Sequence, residues 1–140
     1  LRQSIMQEQR DIGKLKTDII EMRERIYRDK KPTGDLFDLK LSRGGLIDIE
    51  FITQFYVLGY SYKYADLCEN LGNITLITKL SELSLLSSKD ATSLISAYKI
   101  YRTKQHQQGL NPKNPGKVEL RSVELHQKAV QAVWQEFAKP

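Results

Sequence analysis

The residues best suited to chemistry lie together in one stretch, Arg43-Gly44-Gly45-Leu46-Ile47-Asp48-Ile49-Glu50-Phe51. Two glycines at the start of a helix let a backbone or a ligand come close. The amides at that end favour anions, and Asp48 and Glu50 in the first turns gain about 0.3–1 kcal/mol from the helix dipole. Two positions apart on a helix is about 200° around its axis, so the two carboxylates cannot point the same way. The helix they open is apolar on nearly every side (Ile47, Ile49, Phe51, Ile52, Phe55, Tyr56, Val57, Leu58). At least one carboxylate is therefore expected to be buried or nearly so, and a buried carboxylate needs a cation or several donors. Arg43, Lys40, Arg23 and Arg25 are the available cations. The residues alone leave two readings open, a structural ion-pair network and a ligand-facing site.

No other constellation is complete. There is no phosphate-binding glycine loop of the P-loop or dinucleotide type, and no His-Glu-x-x-His. The only histidines, His106 and His126, are far apart in sequence and read as ordinary helical residues. Cys68 is the only cysteine, which excludes a disulfide framework and a cysteine-rich metal site and favours a cytoplasmic origin. No metal ligand set and no catalytic residue is identified in the chain.

The elements that would position the stretch are helical. The expected fold is all-α, a bundle of about five helices in one domain spanning residues 1–140. The first helix is long, from about Gln3 to Lys30, with Ile12, Leu15, Ile19, Met22 and Ile26 forming one apolar stripe and Glu21 one turn from Arg25. Pro32 and Gly34 end it. Residues 36–41 alternate as a short extended segment with no second strand in view, so a pairing partner is expected outside this chain. Gly44-Gly45 opens the central apolar helix, Leu46 to about Lys63. Asn73 is read as the cap of a third helix and Ser87 or Ser88 as the cap of a fourth, Ser87 and Asp90 resembling a capping box. Residues 109–116 form a loop with two Asn-Pro steps, and a fifth helix carries Leu120, Val123, Val130, Val133, Trp134 and Phe137.

Composition restricts the partners. The net charge of +5 is modest and spread out, and the basic residues between Arg23 and Lys31 are interrupted by acids. A solvated helix face or a phosphate-facing patch explains them, and with no nucleic-acid reading motif beside them no nucleic acid is expected as partner. No apolar run approaches the ~20 residues of a membrane span, and no membrane association is expected. Because the chain begins at Leu1 within a helical pattern, it reads as an excerpt of a longer protein, with a natural end near Lys139-Pro140.

Met22-Arg23, Phe37-Asp38-Leu39-Lys40 and Gly44-Gly45-Leu46-Ile47-Asp48-Ile49-Glu50-Phe51-Ile52-Thr53-Gln54 together resemble the bifunctional glutamine synthetase adenylyltransferase/adenylyl-removing enzyme family. The resemblance continues more loosely through Tyr98–Arg102 and Val133-Trp134-Gln135, which look like the C-terminus of that family. It implies the last helical domain, behind a nucleotidyltransferase domain that transfers AMP from ATP to a tyrosine of glutamine synthetase. A second such domain removes the AMP by phosphorolysis, and glutamine and the PII signalling protein set the balance. The family uses ATP and Mg²⁺, the metal held by aspartates of a Gly-Ser…Asp-x-Asp motif, which is missing here. The fragment is therefore expected to be inactive alone, to bind no cofactor itself, and to lie against the catalytic domain upstream of Leu1. The residues expected to face that active site are Lys40, Arg43, Gly44, Gly45, Asp48, Glu50, Gln54 and Arg23, with the helix start approaching the nucleotide or its phosphates. The alternatives are a docking module for glutamine synthetase or PII, the equivalent bundle of a PII uridylyltransferase, and an unrelated basic helical domain that binds nucleic acid.

Overall fold

The most apolar segment organises the fold. A computed structural model describes residues 11–30, 34–67, 71–108 and 116–140, and in it Leu46–Tyr60 forms helix α2 at the centre. Around it stand α1 (Ile12–Asp29), α3 (Asn73–Glu82), α4 (Ser88–Gln108) and α5 (Glu124–Ala138), each of which packs on α2. Ile49, Ile52, Phe55 and Val57 of α2 are buried together with Ile77, Leu80, Leu94, Ala97, Val130 and Val133 of the surrounding helices. Each such side chain taken fully out of water contributes about 1.5–3 kcal/mol. Gly59 allows α1 to cross α2 closely, since a Cβ there would meet Ile12 Cδ1 at 2.9 Å. No described helix is long and apolar enough to cross a membrane.

The helical bundle matches expectation, but four local details differ. The extended segment does have a partner within the chain: β1 (Leu36–Asp38) pairs antiparallel with β2 (Lys117–Glu119), Phe37 opposite Val118. Three alternating residues behind a proline-bearing loop are too short to announce a strand. The pair rests on the bundle through Phe37, whose ring lies 5.6 Å from that of Tyr101. On α1, Met22 is 51% exposed and Arg23 is buried instead. Arg23 stands one turn beyond Ile19 on the inward face, and its charge is met inside the fold. Asn73 does not cap α3. Gly72 holds the cap position without a side-chain bond, and the Asn73 amide donates instead to the Tyr98 hydroxyl at 3.4 Å. Leu120 is exposed in a 3-10 turn (Leu120–Ser122) ahead of α5.

Other expectations hold. Ser87 caps α4, its hydroxyl accepting from the Asp90 amide at 3.0 Å. Lys14 and Asp18 form an exposed one-turn ion pair on α1, in place of the expected Glu21 and Arg25. Helix α1 begins at Ile12 and does not run unbroken from Gln3: Asp11 is extended and caps it, its carboxylate accepting from the Lys14 amide at 3.0 Å. Residues 1–10, Pro32, Cys68 and the body of the 109–116 loop lie outside the described residues.

Helix α3 ends on a residue in the left-handed region, Ser84 at φ 61°, which lets the amides of Leu85 and Leu86 reach the carbonyl of Leu80. Glycine is the residue that occupies this geometry without a Cβ penalty. Ser84→Gly is expected to stabilise the fold by about 0.5–1 kcal/mol in denaturant unfolding. A loss of stability would show that the hydroxyl makes a compensating interaction.

Candidate functional site

The stretch from Asp38 to Asp48 is a single hydrogen-bonded turn that delivers the chain from β1 into α2. Asp38 turns it: its carboxylate accepts from the amides of Lys40 and Leu41, both at 2.9 Å, while its own amide donates to the Ser42 hydroxyl. Leu39 then plunges into the core, fully buried, and Lys40 faces water. The amide of Gly45 donates to the Ser42 carbonyl, that of Leu46 to Leu39 and that of Ile47 to Lys40, at 2.8, 2.8 and 3.1 Å. These would otherwise be the free amides of a helix start. They are consumed within the chain, and none is open to a phosphate in this arrangement.

The glycine pair is explained by the same packing. Gly44 has φ 85°, and a Cβ on it would lie 2.7 Å from the carbonyl oxygen of Gln127 on α5. A Cβ on Gly45 would lie 2.8 Å from the carbonyl oxygens of both Leu39 and Ser42. What approaches the glycines is therefore the domain's own backbone.

Asp48 and Glu50 take opposite roles, as their angular separation requires. Asp48 is 3% exposed and Arg23 1% exposed, and they form a buried ion pair from Arg23 Nε to Asp48 Oδ1. Asp48 Oδ2 accepts from the Gly44 amide at 2.6 Å. Arg23 Nη2 donates to the Leu41 carbonyl at 3.4 Å, and its guanidinium lies 5.3 Å from the Tyr27 ring. Nη1 is buried without a hydrogen-bond partner. The Gly44 carbonyl accepts from the Tyr101 hydroxyl at 2.7 Å, and burial together with the Asp48 charge pushes that hydroxyl's pKa above the usual tyrosine range. Arg43 stands outside this centre. It holds Glu24 through two 2.9 Å bonds, stacks on Tyr27 at 4.0 Å, and has its carbonyl contacted by the Gln127 amide at 3.4 Å. The Arg43 bond holds the Glu24 carboxyl below its ordinary range.

Glu50 emerges half-buried on another side of α2, beside Lys40 and Arg102, with Gln54 exposed one turn on. Burial pushes its carboxyl pKa up, and the two cations pull against that shift. The expected site residues are thus divided. Arg23, Gly44, Gly45 and Asp48 are joined inside the domain, Arg43 ties the edge of α1 to α5, and Lys40, Glu50 and Gln54 lie on the surface. Reading the sequence alone missed Glu24, Tyr27, Tyr101 and Gln127 as partners. Tyr101 and Gln127 come from α4 and α5, and no local pattern marks a side chain that meets a backbone group 57 or 84 residues away.

Among the described residues no three His, Cys, Asp or Glu side chains converge in a way that could hold a metal ion. Asp48, the one buried carboxylate among the described residues, is already paired with Arg23, so these residues do not fit Mg²⁺.

Two mutational outcomes follow. Gly44→Ala is expected to cost about 2–4 kcal/mol, from the left-handed backbone and the collision with Gln127. Gly34→Ala, at φ 83° with nothing within 4 Å of the added carbon, is expected to cost only about 1 kcal/mol. Equal costs in equilibrium unfolding would remove the role of α5 contact. Because Glu50 has a raised pKa in the folded state, ionising it opposes folding, and its penalty grows as pH rises through the carboxylate range. Glu50→Gln is therefore expected to raise the melting temperature at pH 7 and to lose that gain below pH ~4. A gain that persists in acid would assign the effect to something other than the charge.

Comparison with known proteins agrees with this construction. A family model described as GlnD PII-uridylyltransferase matches residues 14–113, which include the whole Arg23–Asp48 junction and Tyr101. Proteins called bifunctional glutamine synthetase adenylyltransferase/adenylyl-removing enzyme are similar along most of the chain. The one from Burkholderia mallei is 35% identical over 134 residues, covering 96% of this chain and 14% of that protein. The one from Ralstonia nicotianae is 37% identical over 136 residues, covering 97% and 14%. The one from Nitrosomonas europaea is 40% identical over 107 residues, covering 76% and 12%. The chain thus spans about one-seventh of the length of these relatives. The family model matched over residues 14–113 shows that this helical chain belongs to the GlnD PII-uridylyltransferase family, and the chain is similar to proteins called glutamine synthetase adenylyltransferases.

Proposed function

We propose that this chain is the helical domain of an enzyme that transfers AMP from ATP to a tyrosine of glutamine synthetase and removes it again, and that it supports the catalytic domain without carrying the chemistry. Nucleotidyl transfer rests on positioning the attacking oxygen and neutralising phosphate charge with metal and cations. The observation that carries the reading is the use of the Gly44–Asp48 segment. Its amides and its acid are consumed in building the helix junction, so the part that resembles the adenylyltransferases serves as a rigid mount. The names of the relatives supply the substrate, glutamine synthetase. Mg²⁺ and ATP then belong to the catalytic domain, and PII acts on the whole enzyme. The family model named for a PII uridylyltransferase favours, as the second reading, the equivalent bundle of that enzyme. A docking module for glutamine synthetase or PII that makes no nucleotide contact is the third.

AMP incorporation distinguishes them. Residues 1–140 alone, given labelled ATP, Mg²⁺ and glutamine synthetase, are expected to transfer no label, while the longer protein containing them labels glutamine synthetase. Labelling of PII with UMP by the longer protein would replace the first reading by the second. Pull-down of either protein by residues 1–140 without nucleotide, with no transfer by the longer chain, would favour the third.

A further inference from the structure

The buried half of the 38–54 segment is occupied by the fold, and its surface half is not. We propose that Lys40, Glu50, Gln54 and Arg102 form the surface on which the nucleotidyltransferase domain of the same chain docks, with an acidic patch of that domain facing Lys40 and Arg102. This rests on the reading of the chain as one domain of a longer enzyme.

Helix α2 is enclosed by four other helices, and Glu50 and Gln54, one turn apart, are where its polar side chains reach the outside. The two cations come from other elements, Lys40 from the turn after β1 and Arg102 from α4, and both act electrostatically on Glu50. Neither closes an ion pair with it among the described residues, and Arg102 instead bonds Gln105 at 3.1 Å. Burial disfavours the ionised Glu50 carboxylate, and neither cation offsets that with a closed ion pair. A docked surface that brings a donor to Glu50 and carboxylates to Lys40 and Arg102 supplies that offset. The mixed charge also decides the kind of partner, since a protein surface can present a donor to Glu50 and carboxylates to Lys40 and Arg102 at separate points, which a phosphate cannot. The relatives are about seven times longer than this chain, so a tethered partner domain is present at high effective concentration and a small polar patch suffices.

The test uses the full-length enzyme. In the wild type, lysine cross-linking followed by mass spectrometry is expected to join Lys40 to the nucleotidyltransferase domain. The double reversal Lys40→Glu/Arg102→Glu is expected to speed proteolytic cleavage between the domains several-fold. Arg25→Glu/Arg28→Glu, which changes the net charge equally on the exposed side of α1, is expected to leave it unchanged. Gln54→Arg, at an exposed position that folding does not use, is expected to act in the same direction as the double reversal. Equal cleavage in all variants, or cross-links to that domain only from elsewhere, would overturn the surface. AMP transfer by the wild type is read separately. Docking without transfer would reject the activity and keep the surface, while transfer with no effect of these variants would do the reverse.

Discussion

A guanidinium and a carboxylate removed from water together fix the geometry of this domain. Arg23 comes from the first described helix and Asp48 from the first turn of the central one, so the pair sets the depth and rotation of α1 against α2. The second oxygen of Asp48 fastens the Gly44 amide, and Tyr101 of α4 fastens the Gly44 carbonyl. Four segments thus meet around one residue, Gly44, α1 acting through Asp48 and the fourth being α5, whose backbone lies against Gly44. A buried pair does not by itself guarantee stability, because desolvation offsets much of the attraction. Either charge alone in this core is very unfavourable, which disfavours packings that separate the two.

Much of this was legible in the sequence, and the reason is physical. Acids two positions apart on a helix that is apolar all round cannot both reach water, so the burial of one and the need for a cation followed from residue types alone. Which acid, and which of four cations, did not follow. That choice depends on how α1 rotates, and the apolar stripe put Met22 where Arg23 stands. An arginine reads as a surface residue until its partner is known. The glycine pair was recognised as a point of close approach, but its occupant was not. A neighbouring backbone and a ligand demand the same missing Cβ, and sequence cannot tell them apart. The short strand pairing was lost for a simpler reason, since three residues carry too little periodicity.

The division of the segment into an inner and an outer half bears on what kind of protein this is. A site built to hold a nucleotide would keep amides or cations open to it. Here the amides of Gly45, Leu46 and Ile47 are closed by carbonyls and that of Gly44 by Asp48, and the innermost cation, Arg23, is paired with the same carboxylate. What stays open is a mixed polar patch.

The most direct test of the central pair is a double-mutant cycle on Arg23→Met and Asp48→Asn, followed by equilibrium unfolding. Each single change strands one buried charge or its donors and is expected to cost about 3–5 kcal/mol. The double variant is expected to cost less than the sum, with a coupling of about 2–3 kcal/mol. Additive effects, with coupling below about 0.5 kcal/mol, would mean that the two residues do not depend on each other and that something else holds the junction.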